Sequence, residues 1–294
     1  MSFFRQLAAL ALLTTALVAV ENVPTPAVAA PALDAEHALL AGVLARVVKV
    51  DGVDYGELRR DHVGLDRYRV QLATAVEPTE RMARLALFIN AYNALTLELV
   101  RSRLPEDATR WPAWSITSAG LGKDSAWKSW RFRVAGAWRT LDEIEHDVLR
   151  KLGDPRIHFA LNCASRSCPA LAARPYLVAT LESQLEAAAR DFATNAQHLR
   201  LEDGVLRVNP ILDWFAADFV PGSTGAAHGA ASMENSTASA ASGTANTGSS
   251  VRTFLRARVP AGPVAQALAG DRPLQFFTYD WTLNLSLNLS QGKP

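Results

Sequence analysis

Residues 80–103, "ERMARLALFINAYNALTLELVRSR", constrain the fold more than any other stretch. Between Leu85 and Val100 the only charged side chain is Glu98. Apolar residues fill every face at helical spacing, so the helix must be wrapped by other elements rather than lie on a surface. The two amides within it, Asn90 and Asn93, then need partners, because an unpaired buried polar group costs about 1–3 kcal/mol. They either pin nearby backbone or line a cleft, where they would orient a substrate or a catalytic imidazole.

The other elements are shorter. Residues 34–50, "DAEHALLAGVLARVVKV", read as a helix, followed by a turn-rich connection, "DGVDYGELRRD". "LPEDATRWPAWSITSAGLGKDSAW" is irregular. "WRFRVAGAWRTL" and "HLRLEDGVLRVNP" predict hairpins turning at Ala135-Gly136 and Asp203-Gly204. Thr140 and Glu143 form a capping box that starts the helix "DEIEHDVLRKL". His146 on that helix is expected to face solvent. "RIHFAL" predicts a short strand, "TLESQLEAAARDFATNA" a helix, and "ILDWFAADF", "VRTFLRARV" and "GPVAQALAG" short helices. "LQFFTYDWTLNLSLNLS" alternates as one closing strand, with Asp280 and Asn284 on its polar face. The order lacks regular β-α-β alternation, so the expected class is α+β: a single mixed domain with a buried central helix, short hairpins and a C-terminal strand.

Two segments stand apart. The first 30 residues carry Arg5, an apolar run from Leu7 to Val20 and an A-x-A pattern at Ala27–Ala29, the layout of a cleaved secretory signal peptide. The run is too short to span a bilayer comfortably, which leaves an uncleaved anchor as the alternative, and no later stretch is long and apolar enough. The expectation is a mature chain from about Ala30 or Pro31 to 290, periplasmic or secreted, with no membrane span. Residues 221–250 are almost entirely Gly, Ala, Ser and Thr and predict a disordered insertion, with His228 a bystander. Thirty basic residues stand against 29 acidic, a net charge of +1, which removes the electrostatic case for nucleic acid. The partner expected is an unspecified small molecule, peptide or protein.

The chemistry concentrates in "RIHFALNCASRSCP", residues 156–169, which holds the chain's two cysteines, Cys163 and Cys168, and His158. On a strand, His158 and Cys163 would be about 16 Å apart and on opposite faces, so they cannot form a simple dyad. Pro169 after Cys168 would place Cys168 at a helix N-cap, which lowers a thiol pKa, and Arg166 acts in the same sense. A merely turn-shaping proline is the alternative. In an exported protein the two cysteines are a pair by default, closing a small disulfide loop. A C-x-x-C redox motif is absent. H-x4-C-x4-C lacks a fourth ligand and matches no standard zinc spacing, so no metal and no cofactor are expected.

The blocks "LALFINAYNALTLELV", "LDEIEHDVLR", "DPRIHFALNCASRSCPAL", "LESQLEAAARDF" and "YDWTLN", in this order, resemble the domain-of-unknown-function family 547 over about residues 80–285. The resemblance implies a single domain of bacterial exported proteins and some plant proteins, without an activity. It implies cysteine at the position of Cys163 and either cysteine or serine at that of Cys168, so an obligatory disulfide is not the shared feature. The positions that match its blocks are Asn90, Tyr92, Asn93, His158, Cys163, Ser165, Ser167, Asp280 and Asn284, which suggests one shared site. Two readings remain. In one, a non-catalytic binding module carries a local Cys163–Cys168 disulfide, and Tyr92, Ser165, Ser167, Asp280 and Asn284 are its ligand contacts. In the other, a thiol hydrolase or acyl-transferase acting on peptide or cell-wall amide bonds uses Cys163 (then Cys168) as nucleophile, His158 as base, and Asn90 or Asn93 to orient them.

Overall fold

The computed structural model describes residues 32–223, 245–271 and 274–287. The segment read as a signal peptide and most of the low-complexity tract lie outside them. The described residues form an α+β domain in which helices dominate and the sheets are small.

Helices α1 (Ala38–Val47), α2 (Tyr55–Arg60) and α3 (Val63–Thr74) pack together on one side of the long α4 (Arg81–Arg103). Every residue of α4 from Leu85 to Val100 is buried. Each large apolar side chain there contributes about 1.5–3 kcal/mol by leaving water. Glu98 is tolerated because Arg101 grips its carboxylate with two hydrogen bonds of 2.9 Å and Arg69 lies at 3.1 Å. The stretch read as a turn-rich connection holds α2, which starts where the Asp54 side chain accepts the Glu57 N–H. Between α1 and α2, β1 (Val48–Lys49) and β2 (Gly52–Val53) form a minimal hairpin.

After 3-10 turns at Ala108–Ala113 and Ile116–Ala119 come α5 (Ala126–Ser129) and the expected hairpin, β3 (Phe132–Val134) with β4 (Ala137–Arg139). The capping box is present: Glu143 Oε2 accepts the Thr140 N–H at 2.8 Å and Thr140 Oγ1 accepts the Glu143 N–H at 3.1 Å. The helix it starts winds as a π-helix over Glu143–Leu149 before a 3-10 turn at Arg150–Leu152.

The predicted strand "RIHFAL" is instead a short helix, α6 (Ile157–Ala160). Asp154 and Pro155 start it, with the Asp154 carboxylate accepting the Arg156 N–H. Ile157 and Ala160 face the core around α4, and Phe159 faces a second core. That second core is built from α7 (Leu181–Thr194), the hairpin β5 (Leu199–Glu202) with β6 (Val205–Val208), α8 (Ile211–Trp214), α9 (Ala245–Arg256) and α10 (Pro263–Ala269). The last six residues of the tract expected to be disordered, 245–250, belong to α9. Val251 and Leu255 anchor that helix in the second core.

The closing segment is not one strand. Only β7 (Gln275–Phe276) joins a sheet, parallel to β6. Residues 282–285 then make single bridges to three different segments, at Ser115, Ser165 and Val53. Among the described residues they have no continuous strand to pair with. Gly52 permits the last crossing: its φ is 148°, and a Cβ there would stand 2.4 Å from the Asn284 carbonyl oxygen.

Candidate active site: a two-cysteine loop between the cores

The loop 161–170 follows α6, buries Leu161, Cys163, Ala164 and Cys168 in the core around α4, and is tied down at both of its flanks and from within. From α4, Asn93 accepts the Asn162 N–H at 2.9 Å and donates to the Ala160 carbonyl at 2.9 Å. Asn90 similarly accepts the Tyr176 N–H and donates to its carbonyl. Both amides therefore pin backbone. Within the loop, Asn162 donates to the Pro169 carbonyl and accepts the Ala164 N–H, which holds Ala164 at a φ of 61°. From the closing segment, the Arg166 and Ser167 N–H groups donate to the Thr282 and Asp280 carbonyls, and the Asn284 N–H donates to that of Ala164.

This bracing puts the cysteines together. Their sulfurs are free thiols 2.8 Å apart, and Cys168 Sγ accepts the Cys163 N–H at 2.9 Å. Ser165 Oγ and Tyr279 Oη each lie 3.2 Å from Cys163 Sγ and 2.9 Å from each other, so both hydroxyls can turn their protons to the sulfur. The Tyr279 ring is packed between Trp281 and Trp214, with centroids 4.4 and 4.9 Å away, which aims its hydroxyl at the sulfur.

Burial raises the Cys163 thiol, but hydrogen bonds from Cys168, Ser165 and Tyr279 outweigh it and bring the pKa down from 9.0 to about 7. Cys168 moves the other way, raised by burial and by holding its proton toward Cys163. Residues 169–177 are not helical, so the N-cap route to a lowered thiol does not operate at Cys168. The acidic thiol is Cys163, and side-chain donors are the cause.

His158 points elsewhere. Its Nε2 bonds Asp218 Oδ2 at 2.8 Å, its ring stacks on Phe215 at 3.9 Å, and its Nδ1 stands 3.8 Å from Glu145 Oε1. Arg150 bonds both oxygens of Asp218, at 2.7 and 2.8 Å. Burial lowers the His158 pKa against the pull of Asp218. Burial would raise Asp218, yet Arg150 and His158 hold it well below the usual carboxylate range. His146 is largely covered rather than solvent-facing, with Nδ1 2.9 Å from Arg150 Nη1.

The remaining candidates divide. Tyr92 is buried and accepts the Trp127 Nε1–H at 3.1 Å. Asn284 accepts from Tyr55 Oη and donates to Asn162, so it supports the loop. Ser167 Oγ accepts the Asp280 N–H, and the Asp280 carboxylate caps Thr282 in an exposed turn. Both fasten the closing segment. Sequence reasoning passed over Tyr279, Glu145, Arg150 and Asp218. The signal for Glu145 and Arg150 was their place in the block "LDEIEHDVLR".

A cavity of about 460 Å³ lies along α7, lined by residues that include Phe159, Pro169, Tyr176, Asp191 and His198; neither cysteine lines it. Burial lowers the His198 pKa to about 4. Among the described residues, no cluster of three or more His, Cys, Asp or Glu could hold a metal ion, and no helix is long and apolar enough to cross a membrane.

Compared with known proteins, residues 76–193 match the family described as "Protein of unknown function, DUF547". No curated protein and no solved structure matches the chain.

Proposed function

We propose, from the premise that residues 76–193 form a DUF547 domain, that this protein is a thiol-dependent acyl-transfer enzyme, a hydrolase or acyl-transferase, with Cys163 as its nucleophile. The observation that carries the reading is the set of three donors around one buried sulfur, which brings its pKa to about 7. A thiolate is the attacking species, and a midpoint near ambient pH leaves it both abundant and nucleophilic. Cys168, Ser165 and Tyr279 hold the charge, and Asn93, Asn162 and Asn284 hold the loop. The signal-peptide pattern of residues 1–30 supports an exported enzyme, for which peptide or cell-wall amide bonds are the substrate class in reach.

The sulfur–sulfur separation of 2.8 Å supports a second reading. Two thiols that close need little movement to form a disulfide, and the chain would then be a stapled, non-catalytic binding module. One titration separates the two. The protein is labelled with iodoacetamide from pH 5 to 9, with and without reductant, and the label is mapped by mass spectrometry. The enzyme reading expects Cys163 to label without reductant, with a midpoint near pH 7. Label that appears only after reduction overturns it in favour of the staple.

A further inference from the structure

The cavity along α7 has a lining that carries two polar groups no other described residue bonds. α7 and its C-cap present Ala187, Ala188, Asp191, Phe192 and Asn195 to it, at the spacing of one helical face. The two alanines leave room that larger side chains would fill. Phe159, also in the lining, packs on Phe192 with centroids 4.4 Å apart. The volume of about 460 Å³ falls among small-molecule sites, which span about 300–1,000 Å³.

The first polar group belongs to His198, which is 4% exposed and stacks on Phe192 with centroids 4.5 Å apart. Asn209 sets its tautomer. Asn209 Oδ1 accepts the Ile211 N–H, so Nδ2 is the donating end, directed to the Ser167 carbonyl at 2.7 Å and to His198 Nδ1 at 3.0 Å. Nδ1 therefore accepts, and the neutral ring carries its proton on Nε2, where no described residue takes it. The second belongs to Tyr176, which is 3% exposed. Its backbone N–H and carbonyl are both bonded to Asn90, while its hydroxyl bonds no described residue. Neither atom is sealed in, and the open space that both buried side chains border is the cavity. Buried polar groups are paired as a rule, so two unpaired ones at one cavity mark a place where a ligand completes the bonding.

We propose that this cavity binds an uncharged apolar peptide unit, its side chain against Phe159 and Phe192 and its amide among His198, Tyr176 and Asp191. The charge of the lining selects for neutrality. Arg174 and Asp191, both exposed and so at the rim, bring one charge of each sign, and neither is salt-bridged among the described residues. An anion drawn to Arg174 meets Asp191, and a cation drawn to Asp191 meets Arg174. An amide suits both halves of the lining: its carbonyl accepts from His198 Nε2–H or the Tyr176 hydroxyl, and its N–H donates to the Asp191 carboxylate. The inference stands whether or not Cys163 is a nucleophile, since neither cysteine lines the cavity.

The test is a ligand-observed NMR titration of the full chain with N-acetyl-L-phenylalanine amide, which is uncharged and carries one aromatic side chain. At ordinary ligand efficiency its size predicts a Kd of about 0.5 mM. Phenylacetate and phenethylamine, which keep the ring but carry a charge, are expected to bind at least about 10-fold more weakly. Tyr176→Phe removes only a hydroxyl that has no partner in the protein, so its Tm should stay at the native value while the amide binds about 5–10-fold more weakly. Ala188→Leu puts a larger side chain into the lining and should weaken binding by at least about 10-fold. No binding to the native chain by about 10 mM overturns the site. Undiminished binding in both variants overturns it as well, by placing the ligand elsewhere. Either charged compound binding as tightly as the amide overturns the peptide assignment, a measurement on the native chain that holds even if a variant does not fold.

Discussion

Replacing Tyr279 with phenylalanine removes one oxygen from the Cys163 sulfur and leaves the ring between Trp214 and Trp281. A hydrogen bond to a charged group contributes about 1.5–3 kcal/mol, and one pKa unit corresponds to about 1.4 kcal/mol. Cys168 and Ser165 remain as donors, so the lower end applies, and the midpoint should move up by about one unit. The thiolate fraction at pH 7 then falls from about one half to about one tenth. The less stabilised thiolate is also more reactive, by about threefold per unit. The alkylation rate at pH 7 should therefore drop only about twofold while the plateau above pH 9 rises. The midpoint of an iodoacetamide rate–pH profile is the decisive quantity. A Tyr279→Phe midpoint within about 0.3 units of the native one, with unchanged near-ultraviolet dichroism, would refute the assignment of Tyr279 as a donor to the thiolate.

Three further outcomes are expected. Asp218→Asn leaves the buried Arg150 guanidinium without its counter-ion and should cost about 3–5 kcal/mol in denaturant unfolding; a loss below about 1 kcal/mol would mean the pair is solvated. Asn93→Ala strands the Asn162 N–H and the Ala160 carbonyl and should cost about 2–4 kcal/mol in the same assay, with faster alkylation of both thiols as the loop loosens. The folded pKa values of His158 and His198 are depressed, so their contribution to stability is present above about pH 6.5 and lost as pH falls toward their folded values, about 4 for His198. Unfolding free energy that stays flat from pH 6.5 to 4 would contradict the burial of these neutral rings.

The helices with strong period, α1, α4 and α7, and both hairpins with Gly turns are legible in the sequence because each carries its own local signal. α3 carries no such signal: "VGLDRYRVQLAT" mixes charge with apolar residues and has no side-chain cap. For "RIHFAL", six residues cannot separate a strand's alternation from a single helical turn, and Asp154-Pro155 was the better guide. The closing segment alternates because it lies extended through a packed seam, not because it has a neighbour over its length. In the site, the cysteines announced themselves by chemistry and neighbourhood. Glu145 and Arg150 were hidden because a period of 3.6 sets them on different faces, and only the π-helix brings them together. Asp218 and Tyr279 reach the site through tertiary packing alone, 60 residues from His158 and 116 from Cys163.

The anchoring of the cysteine loop by residues 279–286 also sets a timetable. A chain made from its N-terminus has both cysteines long before Tyr279, Thr282 and Asn284 exist to brace them. During that interval Cys163 lacks its tyrosine donor and the loop lacks its straps, so the thiol is an ordinary one. The acidic thiol appears only when the closing segment docks, so its pKa reports whether residues 279–286 have reached the loop.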